Sequence, residues 1–250
     1  MLDTIKNDEL QIYRGKDFIV NDKIQIHQPT LGEICDWGEQ NYFSFIYNIT
    51  ATPTDLKYFL SLSNIDWNNI SEYELFLFIY KMFDINSTKI IFGDELNFAL
   101  FEPMVQEYNG EIVLYNKYSD ITIDRSIYEI IVGYIRKMHN LKKNVERAMN
   151  ETTKTVLIEE AKEQYEMSKN EKYQSHLLPL ISTMTNMVGF KYSWSNVWDM
   201  KINAFMDAVQ RIQHVENAKL LLSSGYSGFG IDLKKINKKE LDYFYRSDES

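Results

Sequence analysis

Ile24-Gln-Ile-His-Gln-Pro-Thr-Leu-Gly-Glu-Ile34, running on through Trp37-Gly-Glu39 to Thr52-Pro-Thr-Asp55, decides the reading of this chain. Ile24 and Ile26 alternate with polar neighbours, as one buried face of a strand does. Pro29 ends the extended run, because it has no N–H to give a sheet. Thr30-Leu-Gly-Glu33 is a capping box. The Thr30 hydroxyl can accept the N–H of Glu33, and the Glu33 carboxylate can reach back to the N–H of Thr30. Thr52-Pro-Thr-Asp55 repeats that logic, with Pro53 at the first helical position, where a missing N–H costs nothing. A short strand thus gives way at once to capped helices.

Working outward, Leu10 and Ile12, then Phe18 and Val20, then Ile24 and Ile26 read as short strands, with Asn21-Asp22 as the turn of an N-terminal hairpin. Ser71-Glu-Tyr-Glu74 is a further capping box, with Ile70 and Leu75 placed as a hydrophobic staple. The helices predicted from these starts cover 31–48, 53–62 and 72–84. Their apolar residues (Leu31, Ile34, Cys35; Leu75, Phe76, Ile79, Phe83) recur at three and four.

The period then changes. Ile90-Ile-Phe92, Asn97–Phe101, Val105–Tyr108 and Ile112–Tyr115 are short β-like runs. Asn109-Gly110 sits between two of them as a hairpin signal. Residues 87–123 read as a small antiparallel β insert. Helical spacing returns with Ile127, Ile130, Ile131, Tyr134, Ile135, Met138 and Leu141. The charged stretch 142–174 is either one long exposed helix or two helices broken near Asn150–Thr153. Leu177-Leu-Pro-Leu-Ile181 opens a buried helix. Trp194 and Trp198 lead into another, with Ile202, Phe205, Met206, Val209 and Ile212 inward. Ser223–Gly230 reads as a loop and Asp232–Tyr245 as a short polar end. The expected fold is one domain over 1–250, mainly α with a small antiparallel β insert: a helical body of 27–86 and 124–245, and the insert 87–123 projecting from it.

Composition narrows the function classes. The chain has 250 residues, 44% hydrophobic and 14% aromatic, enough to bury a core. Its net charge of −9 repels phosphate backbones and anionic lipid, so neither nucleic acid nor a membrane is expected as partner. No signal core or long apolar run is seen, which points to the cytoplasm. The one cysteine, Cys35, rules out an intrachain disulfide and reads as a small buried apolar residue rather than a nucleophile.

No catalytic, cofactor or metal residue stands out. Gly225-Tyr-Ser-Gly-Phe-Gly230 lacks the spacing of a phosphate loop and of a nucleophile elbow, and reads as a turn. His27, His139, His176 and His214 are scattered. Glu33, Asp36 and Glu39 share the first helix, but the cap accounts for Glu33. The aromatic residues fall mostly on inner helix faces, and a remainder suits a partner interface.

The segments Ile26–Ile34, Gly38-Glu39, Ala51-Thr-Pro-Thr-Asp-Leu56, Leu177–Ile181 and Phe190-Lys-Tyr192 resemble an uncharacterised protein family of phages and prophages of low-GC Gram-positive bacteria. So do Trp198 with Phe205–Ile212, and Tyr226-Ser-Gly-Phe229 with Lys238-Lys-Glu-Leu241. The resemblance is to virion-morphogenesis proteins and is similar in character to tail assembly chaperones. It implies a non-enzymatic assembly factor holding a tail polypeptide, the tape measure or a tube subunit. The alternatives are a stoichiometric virion component (connector, neck or baseplate) and an enzyme with an unrecognised site. Self-association is a further option. The partner-binding residues expected on this reading are Trp194, Trp198, Phe205, Tyr226 and Phe229.

Overall fold

Thr30 and Ser71 both start helices through complete capping boxes. In the computed structural model, which describes residues 9–94, 96–107, 109–227 and 230–245, Thr30 Oγ1 accepts the Glu33 N–H at 3.1 Å and Glu33 Oε2 accepts the Thr30 N–H at 2.6 Å. Ser71 Oγ accepts from Glu74 N at 3.2 Å, and Glu74 Oε2 accepts from Ser71 N at 2.7 Å.

In chain order the elements begin with α1 (Glu9–Tyr13) and the hairpin β1 (Phe18–Asn21) and β2 (Ile24–Ile26). Then come α2 (Leu31–Trp37), α3 (Glu39–Thr50), α4 (Lys57–Leu62), α5 (Glu72–Ile79) and α6 (Ile85–Phe92). The strands β3 (Glu102–Val105), β4 (Ile112–Asn116) and β5 (Ile121–Ile123) form the second sheet. After it follow α7 (Arg125–His139), α8 (Glu151–Ser168), α9 (Leu177–Asn186), α10 (Ile202–Tyr226) and α11 (Lys238–Leu241). Of the described residues 56% are helical and 9% in strands, so the fold is mainly α with two small antiparallel sheets, the first a hairpin near the N-terminus.

The two ends of the chain meet at the quoted stretch. Leu31 N–H donates to Met200 O at 3.0 Å and Ile202 N–H to Pro29 O at 3.0 Å, with Thr30 bridged to Lys201. Ile26, Leu31, Ile34, Ile202 and Phe205 are sealed from solvent around that junction. Each such side chain contributes about 1.5–3 kcal/mol by leaving water. An aromatic cluster fills the middle: Phe76 stacks on Tyr128 at 4.7 Å, and Phe98 meets the rings of Phe76, Phe83, Phe92 and Phe101.

The structure corrects several sequence expectations. Leu10 and Ile12 lie in α1, not a strand; Arg14 N–H donates to Leu10 O, and Gln28 Nε2 holds Ile12 O at 2.9 Å. The helix expected over 31–48 breaks at Gly38, whose φ of +100° is open mainly to glycine. The helix expected over 53–62 begins only at Lys57. Thr52 and Asp55 do exchange bonds, Thr52 N–H to Asp55 Oδ2 and Asp55 N–H to Thr52 Oγ1, yet Pro53 sits in a buried turn. A distant segment pins that turn, since Thr54 Oγ1 donates to Glu146 O and Asn144 Nδ2 to Asp55 Oδ1. The helix expected over 72–84 is helical to Ile79 and tightens to a 3-10 turn at Tyr80–Met82.

The insert 87–123 is also redrawn. Ile90-Ile-Phe92 is the end of α6, which Asp84 caps by accepting the Ser87 N–H at 2.8 Å. Phe98–Leu100 is a 3-10 turn, and the sheet β3-β4-β5 starts at Glu102. Val105 pairs with Ile112, and Gln106 N–H donates to Glu111 O, so the hairpin forms with a wider loop than two residues. Tyr108 lies outside the described residues. The sheet does not project: Leu114, Ile121 and Ile123 belong to the same core as the helices. Ser223–Tyr226, expected as loop, continues α10, and Gly225 there leaves room for the Leu233 side chain. The stretch 142–174 is neither one long helix nor a broken pair: 141–150 has no regular structure, Asn150 caps the single helix α8, and 169–176 is again irregular.

Candidate functional site

Of the five expected partner-binding residues, the four that are described do not form one patch. Phe205, on the inner face at the start of α10, is 0% exposed and is a core residue. That corrects its placement on a docking surface. Trp198 is partly buried against the core, and its carbonyl lies 3.2 Å from where a Cβ on Gly32 would stand. Trp194, before α10, is 75% exposed, and Tyr226, at the far end of α10, is 80% exposed. Trp194 precedes that helix and Tyr226 ends it, and its 25 residues span about 38 Å. Phe229 lies outside the described residues. Other large apolar side chains in solvent include Met149, Leu178, Val188, Leu220 and Phe244.

The polar cluster with the most convergent chemistry is centred on His27, just after β2. Its Nδ1 lies 2.8 Å from Asp17 Oδ1 and its Nε2 3.2 Å from Glu33 Oε1. Lys201 Nζ stands 3.9 Å from the other Glu33 oxygen. Burial alone would raise the Glu33 carboxyl, but the Thr30 N–H and hydroxyl, His27 and Lys201 outweigh it and hold it below its ordinary value. The cluster borders a cavity of about 650 Å³ between β2 and the end of α6, lined by Ile19, Lys23, Ile24, Ile91, Phe92 and Leu96 among others. Lys23 itself is held by Asp120 at 2.7 Å, and His27 N–H donates to Ile91 O at 2.7 Å. The cluster therefore joins the hairpin, the Thr30 cap and the start of α10, which is a positioning task.

The other candidates separate. His139 is buried on α7; its Nδ1–H donates to Ile135 O at 2.7 Å, so Nε2 is left to accept the Tyr42 hydroxyl at 2.5 Å. Burial pushes the His139 pKa down to about 4, so the ring is neutral. Glu33, Asp36 and Glu39 part company: Glu33 caps α2, Asp36 faces solvent, and Glu39 Oε1 accepts the N–H of Leu177 at 2.7 Å. Cys35 is exposed rather than buried, because it lies one residue off the inner stripe of Leu31 and Ile34. Among the described residues no group of three or more His, Cys, Asp and Glu side chains is placed to hold a metal ion. Among them, no helix is long and apolar enough to cross a membrane.

No match is found. Comparison with protein family models, with curated proteins and with solved structures returned nothing similar to this chain.

Sequence reasoning missed Asp17 and Lys201 as neighbours of His27 and Glu33, since they come from distant positions and share no spacing. It also missed an aromatic seat, Tyr58 and Phe59 on α4, against which Tyr165 of α8 packs at 5.7 and 5.1 Å between ring centres. A Tyr-Phe pair in a six-residue helix carries no periodic signal.

Proposed function

We propose that this protein is a non-enzymatic assembly factor that holds a phage tail polypeptide, the tape measure or a tube subunit, during virion assembly. The observation that carries the reading is the exposure of Trp194, Tyr226, Val188 and Met149 outside an already closed core. Large aromatic and Met side chains left in solvent are of the types that partner interfaces favour. Tyr226 stands at the end of α10, while Trp194, Val188 and Met149 stand in turns and irregular segments between helices. The sequence resemblance supplies the partner class. The net charge of −9 keeps a loaded complex soluble in the host cytoplasm and off nucleic acid.

Co-expression with the tape-measure protein tests this. The tape measure is expected to stay in the soluble fraction with this chain and to precipitate without it. Equal solubility in both cases, together with this chain at fixed copy number in purified particles by mass spectrometry, would replace the assembly factor with a structural component.

A further inference from the structure

We propose that α8 is a tethered lid seated on the aromatic face of α4, and that this face takes in its place an amphipathic helix of a partner bearing the same contact stripe. Of the eighteen residues of α8 none is fully buried, whereas α7 buries seven of its fifteen. In a folded chain most helical stability comes from tertiary packing rather than propensity, so α8 draws its order from its seat. The seat is narrow and chemically specific. Lys154 Nζ lies 2.8 Å from Asp66 Oδ1, Leu157 and Ile158 are half-buried against the core, and the Tyr165 ring meets Tyr58 and Phe59. The hydrogen bond from Lys154 holds the Asp66 carboxyl below its ordinary value, and the same bond raises Lys154. The contacts recur along one helical face, so the seat selects a cation, an aliphatic pair one turn on and an aromatic ring two turns beyond.

Both flanks are irregular and both are anchored beyond the helix. On the N-terminal side Lys57 pairs with Glu146 at 3.0 Å, Arg147 donates to the carbonyls of Trp67 and Asn68, and Ala148 and Asn68 exchange two bonds. On the C-terminal side 169–176 runs without regular structure to Leu177, whose N–H Glu39 holds. The helix can therefore lift about its Asn150 cap without leaving the molecule. Elements with few buried contacts open at the low end of the stability range. Once lifted, α8 would uncover Tyr58 and Phe59, the latter already 46% exposed with the lid down. The partner half of this inference rests on the assembly reading, but the lid itself does not.

Hydrogen exchange on the intact chain tests the lid. Amides of α8 are expected to exchange at least about ten-fold faster than those of α7; equal protection of the two helices overturns the lid. A labelled peptide of residues 149–170 then probes the seat by fluorescence anisotropy. It is expected to bind the full-length variant K154E/Y165A at least about ten-fold more tightly than wild type, whose own helix competes, and to lose that binding when F59E is added. Equal binding to wild type and variant, or binding indifferent to F59E, overturns the seat. Should K154E/Y165A not fold, the wild-type chain decides: excess peptide is expected to speed α8 exchange further, and unchanged exchange overturns the seat. None of these readouts involves a phage protein, so their failure leaves the co-expression test of the assembly role standing.

Discussion

Buried His139 makes stability depend on pH in a defined window. Its pKa falls from 6.5 to about 4 because burial disfavours the charged ring. Between those values the unfolded chain binds the extra proton and the folded chain does not. Stability is therefore full above pH 6.5 and drops as pH falls toward 4. Urea unfolding is expected to lose about 2 kcal/mol between pH 7 and pH 5 from this group, and His139→Gln is expected to flatten that slope. The Glu33 carboxyl is held below its ordinary value by the Thr30 cap, His27 and Lys201, so the stability it contributes is present above that ordinary value and is lost as pH falls through the folded one. Thr30→Ala removes the hydroxyl that accepts the Glu33 N–H. The expected cost is about 1 kcal/mol in the same assay. Both caps were legible in the sequence because a capping box is local chemistry: four residues hold donor and acceptor alike. The cluster around His27 was not, because Asp17 meets His27 and Lys201 meets Glu33 only after the chain has folded.

At the scale of elements, Tyr73 joins helix to sheet. Its hydroxyl lies 2.9 Å from Ile112 O and 3.0 Å from Ile123 O, which places one O–H between β4 and β5. Arg125 covers the ring at 5.2 Å. Tyr73→Phe leaves both carbonyls without that donor at a buried seam, and is expected to cost about 1–3 kcal/mol. The measurement that checks it is the urea midpoint at unchanged slope. Element type was readable where both ends are punctuated, as for α5 with its Ser71 cap and α7 with its long stripe. It was misread at Ile90-Ile-Phe92, where a short apolar run suits a buried strand and a buried helix equally. The deciding residues were Asp84 upstream as cap and Gly93 downstream at φ +69°. The turn at Pro53 was misread for a different reason. Thr52 and Asp55 form their bonds, yet Glu146 and Asn144 hold that stretch from far along the chain.

For the molecule as a whole, the expected partner residues divide into those that hold the fold and those that face outward. Phe205 is sealed in the core, and Phe205→Ala opens a cavity where α10 meets the quoted stretch. The expected loss is about 3–5 kcal/mol of unfolding free energy. Trp194 and Tyr226 contribute little to the core, so Trp194→Ala and Tyr226→Ala are each expected to change stability by less than about 0.5 kcal/mol. The sequence pattern did not separate these roles, because an aromatic residue near a helix start reads the same whether its neighbour across the core is present or not. Function is expected to divide the other way. In a tape-measure co-expression assay the Trp194→Ala/Tyr226→Ala double variant should lose holding while its melting curve stays that of wild type. Leu10→Ala, at an exposed apolar position on α1, serves as the control for generic loss of apolar surface. If the double variant holds the tape measure as well as the control does, then neither exposed ring belongs to the partner surface, and the search moves to the face beneath α8.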